Sequence, residues 1–254
     1  MDDIDINPEE TEKGGEINRR GLLHQDTYLI ETLVKAIRDD NFFCTYCEHH
    51  EDYLIITKNF IDIVQVKTKN NSGEDWSADS IFKKKVLYKF YETNAKINSN
   101  KQKRFYFETN CSLNKKLENI FKIIRKDVSE RSNDEINKLD NFVSESMQAL
   151  KKLNPDEKVL REIILSLKFR RRNGLETSLK SNKFLIQEVL KPAIITSDLA
   201  EKIHAQLISL VSMASSGEGN ANFEAMISII NDPSLTDTQR DNKINQMKKC
   251  ISRK

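Results

Sequence analysis

No apolar run in the 254 residues approaches the ~18 residues that a membrane span requires, so a membrane-crossing role is set aside. The first residues are acidic, whereas a secretory signal is basic and then apolar, which argues against export. Cysteine is scarce. Cys44, Cys47, Cys111 and Cys250 give no disulfide framework in a chain this long, and a reducing, cytoplasmic setting fits. The run Cys44-Thr45-Tyr46-Cys47-Glu48-His49-His50 has the outline of a zinc knuckle, but no second Cys/His pair follows at finger spacing. Residues 42–47 read instead as a strand, where positions three apart face opposite ways, so packed thiols are the better reading. No phosphate-cradling nucleotide loop and no clear internal repeat is legible in the sequence. An excess of one charge is also missing: 41 Lys and Arg oppose 39 Asp and Glu, and the net +2 decides nothing about partners.

What is present describes a soluble globular protein, with 38% hydrophobic and 31% charged residues and ample length for a core. Charge is unevenly spread. Asp2, Asp3, Asp5, Glu9, Glu10, Glu12 and Glu16 crowd the start against Lys13 alone, which leaves the remainder more basic. With Pro8 and Gly14-Gly15, residues 1–16 read as a flexible tail. Leu22, Leu23, Leu29, Ile30, Leu33, Val34 and Ile37 then recur at helical spacing through Arg38. Three strands follow near 42–48, 52–57 and 60–69, then a loop of turn formers at 70–75, a helix over about 78–94 and a strand at 104–109. The order helix, three strands, helix, strand predicts an α+β core, a small mixed sheet under helices.

From Leu113 onward the pattern predicts helices throughout. Leu113, Leu117, Ile120, Phe121 and Ile124 form one amphipathic stripe. Asn154-Pro155-Asp156-Glu157 reads as a helix start with Asn154 as the cap, and Lys168-Phe169-Arg170-Arg171-Arg172-Asn173-Gly174 as the cationic, glycine-terminated end of that helix. Further helices are expected at 181–190, 198–213, 221–231 and 236–251. The expected division is therefore a tail at 1–16, a mixed core at 17–112 and a helical assembly or partner-binding region at 113–254.

The chemistry concentrates where two strands meet at the Lys58-Asn59 turn. Alternation places Gln65 and Lys67 on one face and Val64 and Val66 on the other. A carboxylate at the start of one strand and Gln-x-Lys on its neighbour bring together an acid, an amide oxygen and an ammonium, a set suited to a hard metal ion and a phosphate. The bland alternative is a solvent-facing strand with ordinary polar residues.

Element order and residues together resemble the PD-(D/E)XK, or restriction-endonuclease-like, superfamily, with its α-β-β-β-α-β core. Within it, Arg20-Gly21-Leu22-Leu23-His24-Gln25, Glu48 with Glu51-Asp52, Gln65-Val66-Lys67 and Trp76 resemble the double-stranded-DNA endonuclease family. That family is fused to SAVED sensors in CBASS effectors, and similar nucleases occur in Lamassu-type and HerA-associated antiphage systems. Glu51 stands where the family has the first Asp of its acidic step. The motif-bearing match covers about residues 14–110, and what remains is read as lacking a SAVED-like sensor.

The resemblance implies hydrolysis of DNA phosphodiesters with magnesium or manganese. Asp52 and Gln65 are the implied metal ligands, with Glu48, Glu51 or Glu31 completing the shell. Lys67 sits beside the scissile phosphate, and Gln25 orients a metal-bound water. Lys83, Lys84, Lys85 and Lys69 are candidate DNA contacts, to backbone rather than bases, so little sequence specificity is expected. Charge runs on helices are as often solvated faces. The expected function is thus an antiphage effector endonuclease acting on double-stranded DNA. Its expected control comes through a homo-oligomer or a separately encoded sensor or ATPase subunit. The alternatives are a non-catalytic DNA-binding scaffold of the same fold and a ribonuclease.

Overall fold

The computed structural model describes residues 8–36, 39, 41–47, 52–69, 73–189, 197–216, 232, 234, 236, 239, 242–243 and 250–252. The chain runs α1 (Pro8–Ala36), β1 (Phe42–Cys47), β2 (Asp52–Thr57), β3 (Phe60–Val66), α2 (Ala78–Lys83), α3 (Val86–Lys96) and β4 (Gln102–Thr109). It continues α4 (Lys115–Arg125), α5 (Asn133–Ala149), α6 (Glu157–Leu165), β5 (Leu167–Arg171), α7 (Leu175–Val189), α8 (Ser197–Ser216) and β6 (Cys250–Ser252). Among the described residues, no helix is long and apolar enough to cross a membrane.

Six strands form one mixed sheet in the order β5-β4-β3-β2-β1-β6. The hairpins β1–β2 and β2–β3 are antiparallel, whereas β3, β4 and β5 run parallel. Parallel neighbours need crossover connections, and α2–α3 and α4–α6 supply them. Strand alternation gives the sheet two buried faces. Leu54, Ile56, Ile61, Ile63, Phe105 and Phe107 face a core completed by Trp76, Ile81, Leu87, Phe90, Leu117, Ile120 and Leu160 from α2–α6 and the loop before them. Tyr53, Ile55, Val64, Val66 and Tyr106 face Tyr28, Leu29, Leu33, Ile186, Ala200 and Val211 of α1, α7 and α8. Each fully buried large apolar side chain stabilises the fold by about 1.5–3 kcal/mol relative to exposure.

The mixed α+β class holds, and the strands and helices of the core lie close to where periodicity put them. Four details differ. First, α1 begins at Pro8, within the acidic stretch read as tail. Pro8 followed by Glu9 and Glu10 is itself a helix-start pattern. Second, the helix expected over 78–94 is broken into α2 and α3 at Lys85, whose φ of 57° is left-handed. A continuous helix would carry Lys85, one turn beyond the buried Ile81, onto the apolar stripe; the break lets Val86, Leu87 and Phe90 bury instead. Third, the region from residue 113 on, expected to be helical throughout, also supplies β5 and β6. Leu167 and Phe169 pack toward the α4 side, and Arg170 and Arg172 toward the α1 side, so the period is two and not 3.6. Fourth, α6 is capped by Asp156, which accepts from Val159 N–H at 2.9 Å, while Asn154 is left-handed with φ 46°. The helix expected at 221–231 lies outside the described residues, as does most of the one expected at 236–251, whose last positions enter β6.

Candidate active site at the C-terminal ends of the parallel strands

In register, Asp52, the first residue of β2, stands directly opposite Gln65 on β3. Gln65 alternates with Ile61 and Ile63 along β3 and so belongs to the face that α2–α6 cover. Gln65 is 1% exposed. Lys67 follows just beyond β3, and its backbone N–H donates to the Glu108 carbonyl at 3.0 Å, continuing the parallel pairing one step further. Two-residue alternation returns Lys67 to the face of Gln65, where it is half-buried.

Burial pushes the Lys67 ammonium down to about 8, and the charges of Lys89 and Lys84 push in the same direction. Three lysines, from a strand end, the α2–α3 elbow and α3, are therefore near enough for their charges to act on one another. Lys83, Lys84 and Lys85 are all exposed, and Lys85 lies over the Tyr88 ring at 5.7 Å. The break that rescues the apolar stripe is thus what turns this basic run outward next to the strand ends.

Trp76 fixes the loop that leads into α2. It is 1% exposed, donates from Nε1 to Thr109 Oγ1 at 2.8 Å and meets the Phe107 ring edge-on at 5.1 Å. Its backbone pairs with Ser112 and Asn114, tying the loop to the end of β4. Lys69, expected as a DNA contact, donates to the Asp75 carbonyl at 2.9 Å, lies 3.7 Å from Glu74 and sits over the Trp76 ring at 4.9 Å. Its ammonium is committed to holding this loop.

The other face of the same strand ends carries a buried ion network. Glu108 is fully buried and accepts from Arg170 at 3.1 Å, from Arg172 Nη2 at 2.8 Å and from the Tyr53 hydroxyl at 3.0 Å. Burial first, and the Glu108 charge second, hold the Tyr53 hydroxyl well above its ordinary range. Arg172 also reaches Glu31 of α1 at 3.1 Å. Glu31, one of the acids considered for the metal, is therefore engaged behind the sheet. Gln25 is on α1 too, which packs on that same rear face, while Glu48 and Glu51 lie outside the described residues. Sequence reasoning missed Lys89 and the Glu108 network. The only trace of the latter is the alternation of Arg170 and Arg172 with apolar Phe169 two residues before Arg171.

The Cap4 dsDNA endonuclease domain family matches residues 13–215. No curated protein matches the sequence. Among solved structures, the chain resembles the Moraxella osloensis Cap4 SAVED/CARF-domain containing receptor, at a TM-score of 0.51 and 17% identity. That alignment covers 84% of this chain and 48% of the receptor. The Acinetobacter baumannii Cap4 SAVED/CARF-domain containing receptor with the cyclic trinucleotide 2'3'3'-cAAA gives a TM-score of 0.51 and 14% identity, over 85% of this chain and 49% of that one. At such identities the likeness is one of fold. The chain spans about half the length of these solved relatives.

Proposed function

The chain belongs to the Cap4 dsDNA endonuclease domain family, of PD-(D/E)XK type, and we propose that it is a metal-dependent endonuclease hydrolysing double-stranded DNA with little sequence specificity, the nuclease part of an antiphage effector. Lys67 is the observation that carries this reading. A half-buried lysine with its ammonium pushed to about 8, two residues past a fully buried Gln65 paired with Asp52, is poised for proton transfer near neutral pH.

The residues present suit a hard divalent cation. Asp52 offers a carboxylate and Gln65 an amide oxygen at one register position, the oxygen donors that magnesium or manganese takes. Such an ion, when bound, supplies Lewis acidity at the phosphate and an easier deprotonation of water. The chain's own contribution is Lys67. Its neutral amine accepts the proton of the attacking water, and the ammonium so formed offsets charge developing on the phosphate. Lys84 and Lys89 hold neighbouring phosphates and keep Lys67 partly deprotonated. Backbone charge recognition by the Lys83–Lys85 elbow carries no base information. Control is assigned to assembly, with a second copy or a separately encoded sensor or ATPase, so that two sites meet opposite strands.

Plasmid cleavage tests this. Magnesium or manganese should support cutting, calcium should support binding with little cutting, and EDTA should stop the reaction. Undiminished cleavage after chelation would contradict the metal assignment. A second reading is favoured by Gln65, an amide where a second acid would strengthen metal binding. It is a scaffold that binds DNA without cutting, and metal-independent affinity with no cleavage would select it. Matched DNA and RNA duplexes distinguish a ribonuclease.

A further inference from the structure

The last residues of β5 and the end of α4 line an open cleft of about 300 Å³, with Phe121, Lys122, Arg125, Phe169, Arg171 and Ser112 among its walls. Its charge is not compensated. Glu118 at its wall is met by Lys122 at 3.0 Å, which leaves the guanidinium groups of Arg125 and Arg171 exposed, with no carboxylate partner among the described residues. The contrast within one short stretch is informative. Arg170 and Arg172 turn to the rear face and are tied to Glu108, whereas Arg171, between them, turns to the front face, toward the phenylalanine wall. Among the described residues nothing in the fold uses Arg171, and the alternation that gives its neighbours a structural role delivers it to the same side of the sheet as Lys67.

Its position is also defined. Val66 pairs with Glu108 and Thr109 with Arg171, so Lys67, Thr109 and Arg171 fall in one row across β3, β4 and β5. At ~4.8 Å per strand, Arg171 stands about 10 Å from Lys67. That is roughly three steps of a nucleic-acid strand rising ~3.4 Å each. All three strands are parallel and end here, which is where open α/β sheets gather ligands.

We propose that Arg125 and Arg171 form a second phosphate subsite, holding the DNA backbone a few nucleotides from the bond beside Lys67. This rests on the reading of the Lys67 site as one that takes DNA. Two guanidinium forks grip a phosphodiester bidentately, and the Phe121–Phe169 wall excludes water behind them. The subsite acts on substrate placement: it sets which side of the cut the duplex extends toward, and leaves the chemical step at Lys67 alone.

The test measures binding in a Lys67→Ala background, where turnover does not interfere, by fluorescence anisotropy on a long duplex with calcium present. Arg125→Gln with Arg171→Gln should raise Kd about tenfold and reduce the salt slope by about one per lost contact. A charge-matched control, Lys151→Gln with Lys158→Gln, exposed residues away from the row, should change neither. In the active protein the arginine pair should raise KM on the long duplex with kcat retained, and should have no effect on a duplex too short to reach the cleft. Thermal melts of the two surface variants should match the parent. Affinity and salt slope equal to those of the lysine control would overturn the subsite. Weakened binding with an inactive parent would keep the subsite and remove the catalytic reading. Cleavage by the parent with no loss in the arginine variant would do the reverse. Absence of any DNA binding by the parent would overturn both.

Discussion

Replacing Lys67 with methionine should make the protein more stable and catalytically dead. The ammonium of Lys67 is pushed from 10.5 to about 8, chiefly by burial. Each unit is worth ~1.4 kcal/mol, so keeping Lys67 protonated in the folded chain costs about 3 kcal/mol. The lowered value fixes the pH window. Below pH 8 the lysine is charged in both folded and unfolded chains and the full penalty stands. Between about 8 and 10.5 the folded chain releases the proton and the unfolded one keeps it, so wild-type stability rises with pH. Methionine keeps the length and apolar body of the side chain without the charge. At pH 7 the variant should therefore gain up to about 3 kcal/mol, or roughly 6–12 °C in Tm for a domain of this size. By pH 9.5 the gap should narrow to about 1 kcal/mol. Thermal and urea unfolding at the two pH values measure this directly. A variant no more stable than wild type at pH 7, or a gap that does not shrink with pH, would refute the account of a lysine buried at a cost to stability for the sake of function.

Glu108→Gln should lower unfolding free energy by about 3 kcal/mol, because it sets a neutral amide against the buried Arg172 guanidinium, which then keeps only Glu31 as a carboxylate partner. An unchanged urea midpoint would contradict that. Replacing Lys83, Lys84 and Lys85 with Glu should weaken binding similarly across unrelated DNA sequences and flatten its salt dependence, as read by anisotropy titrations. An effect confined to one sequence would mean that the elbow reads bases.

Much of this was legible in the chain, and the exceptions share a cause. The β1–β3 hairpins and β4 follow from two-residue alternation, and that same rule sets Gln65 and Lys67 on one face. The break at Lys85 was not legible, since Phe82-Lys83-Lys84-Lys85-Val86 contains no glycine or proline; only the demand of the sheet for Val86, Leu87 and Phe90 produces it. Strand β5 was misread because its cations suit a helix end as well as an edge strand, and the deciding partner, Glu108, lies 62 residues away from Arg170. Within the site, alternation places one lysine. The approach of Lys84 and Lys89 to it depends on how α3 packs over the sheet, which local pattern does not encode. The role given to Gln25 came from resemblance alone; the fold puts that residue on α1, among helices that cover the rear face.

The central claim is that Lys67, beside Gln65 and Asp52, performs phosphodiester hydrolysis. The direct measurement is single-turnover cleavage of duplex DNA with magnesium by wild type, Lys67→Ala and Asp52→Ala, each checked for folding and for DNA affinity. The account predicts loss of cleavage in both variants, with affinity for DNA largely retained by Lys67→Ala and metal response lost by Asp52→Ala. Full-rate cleavage by either purified variant would contradict it.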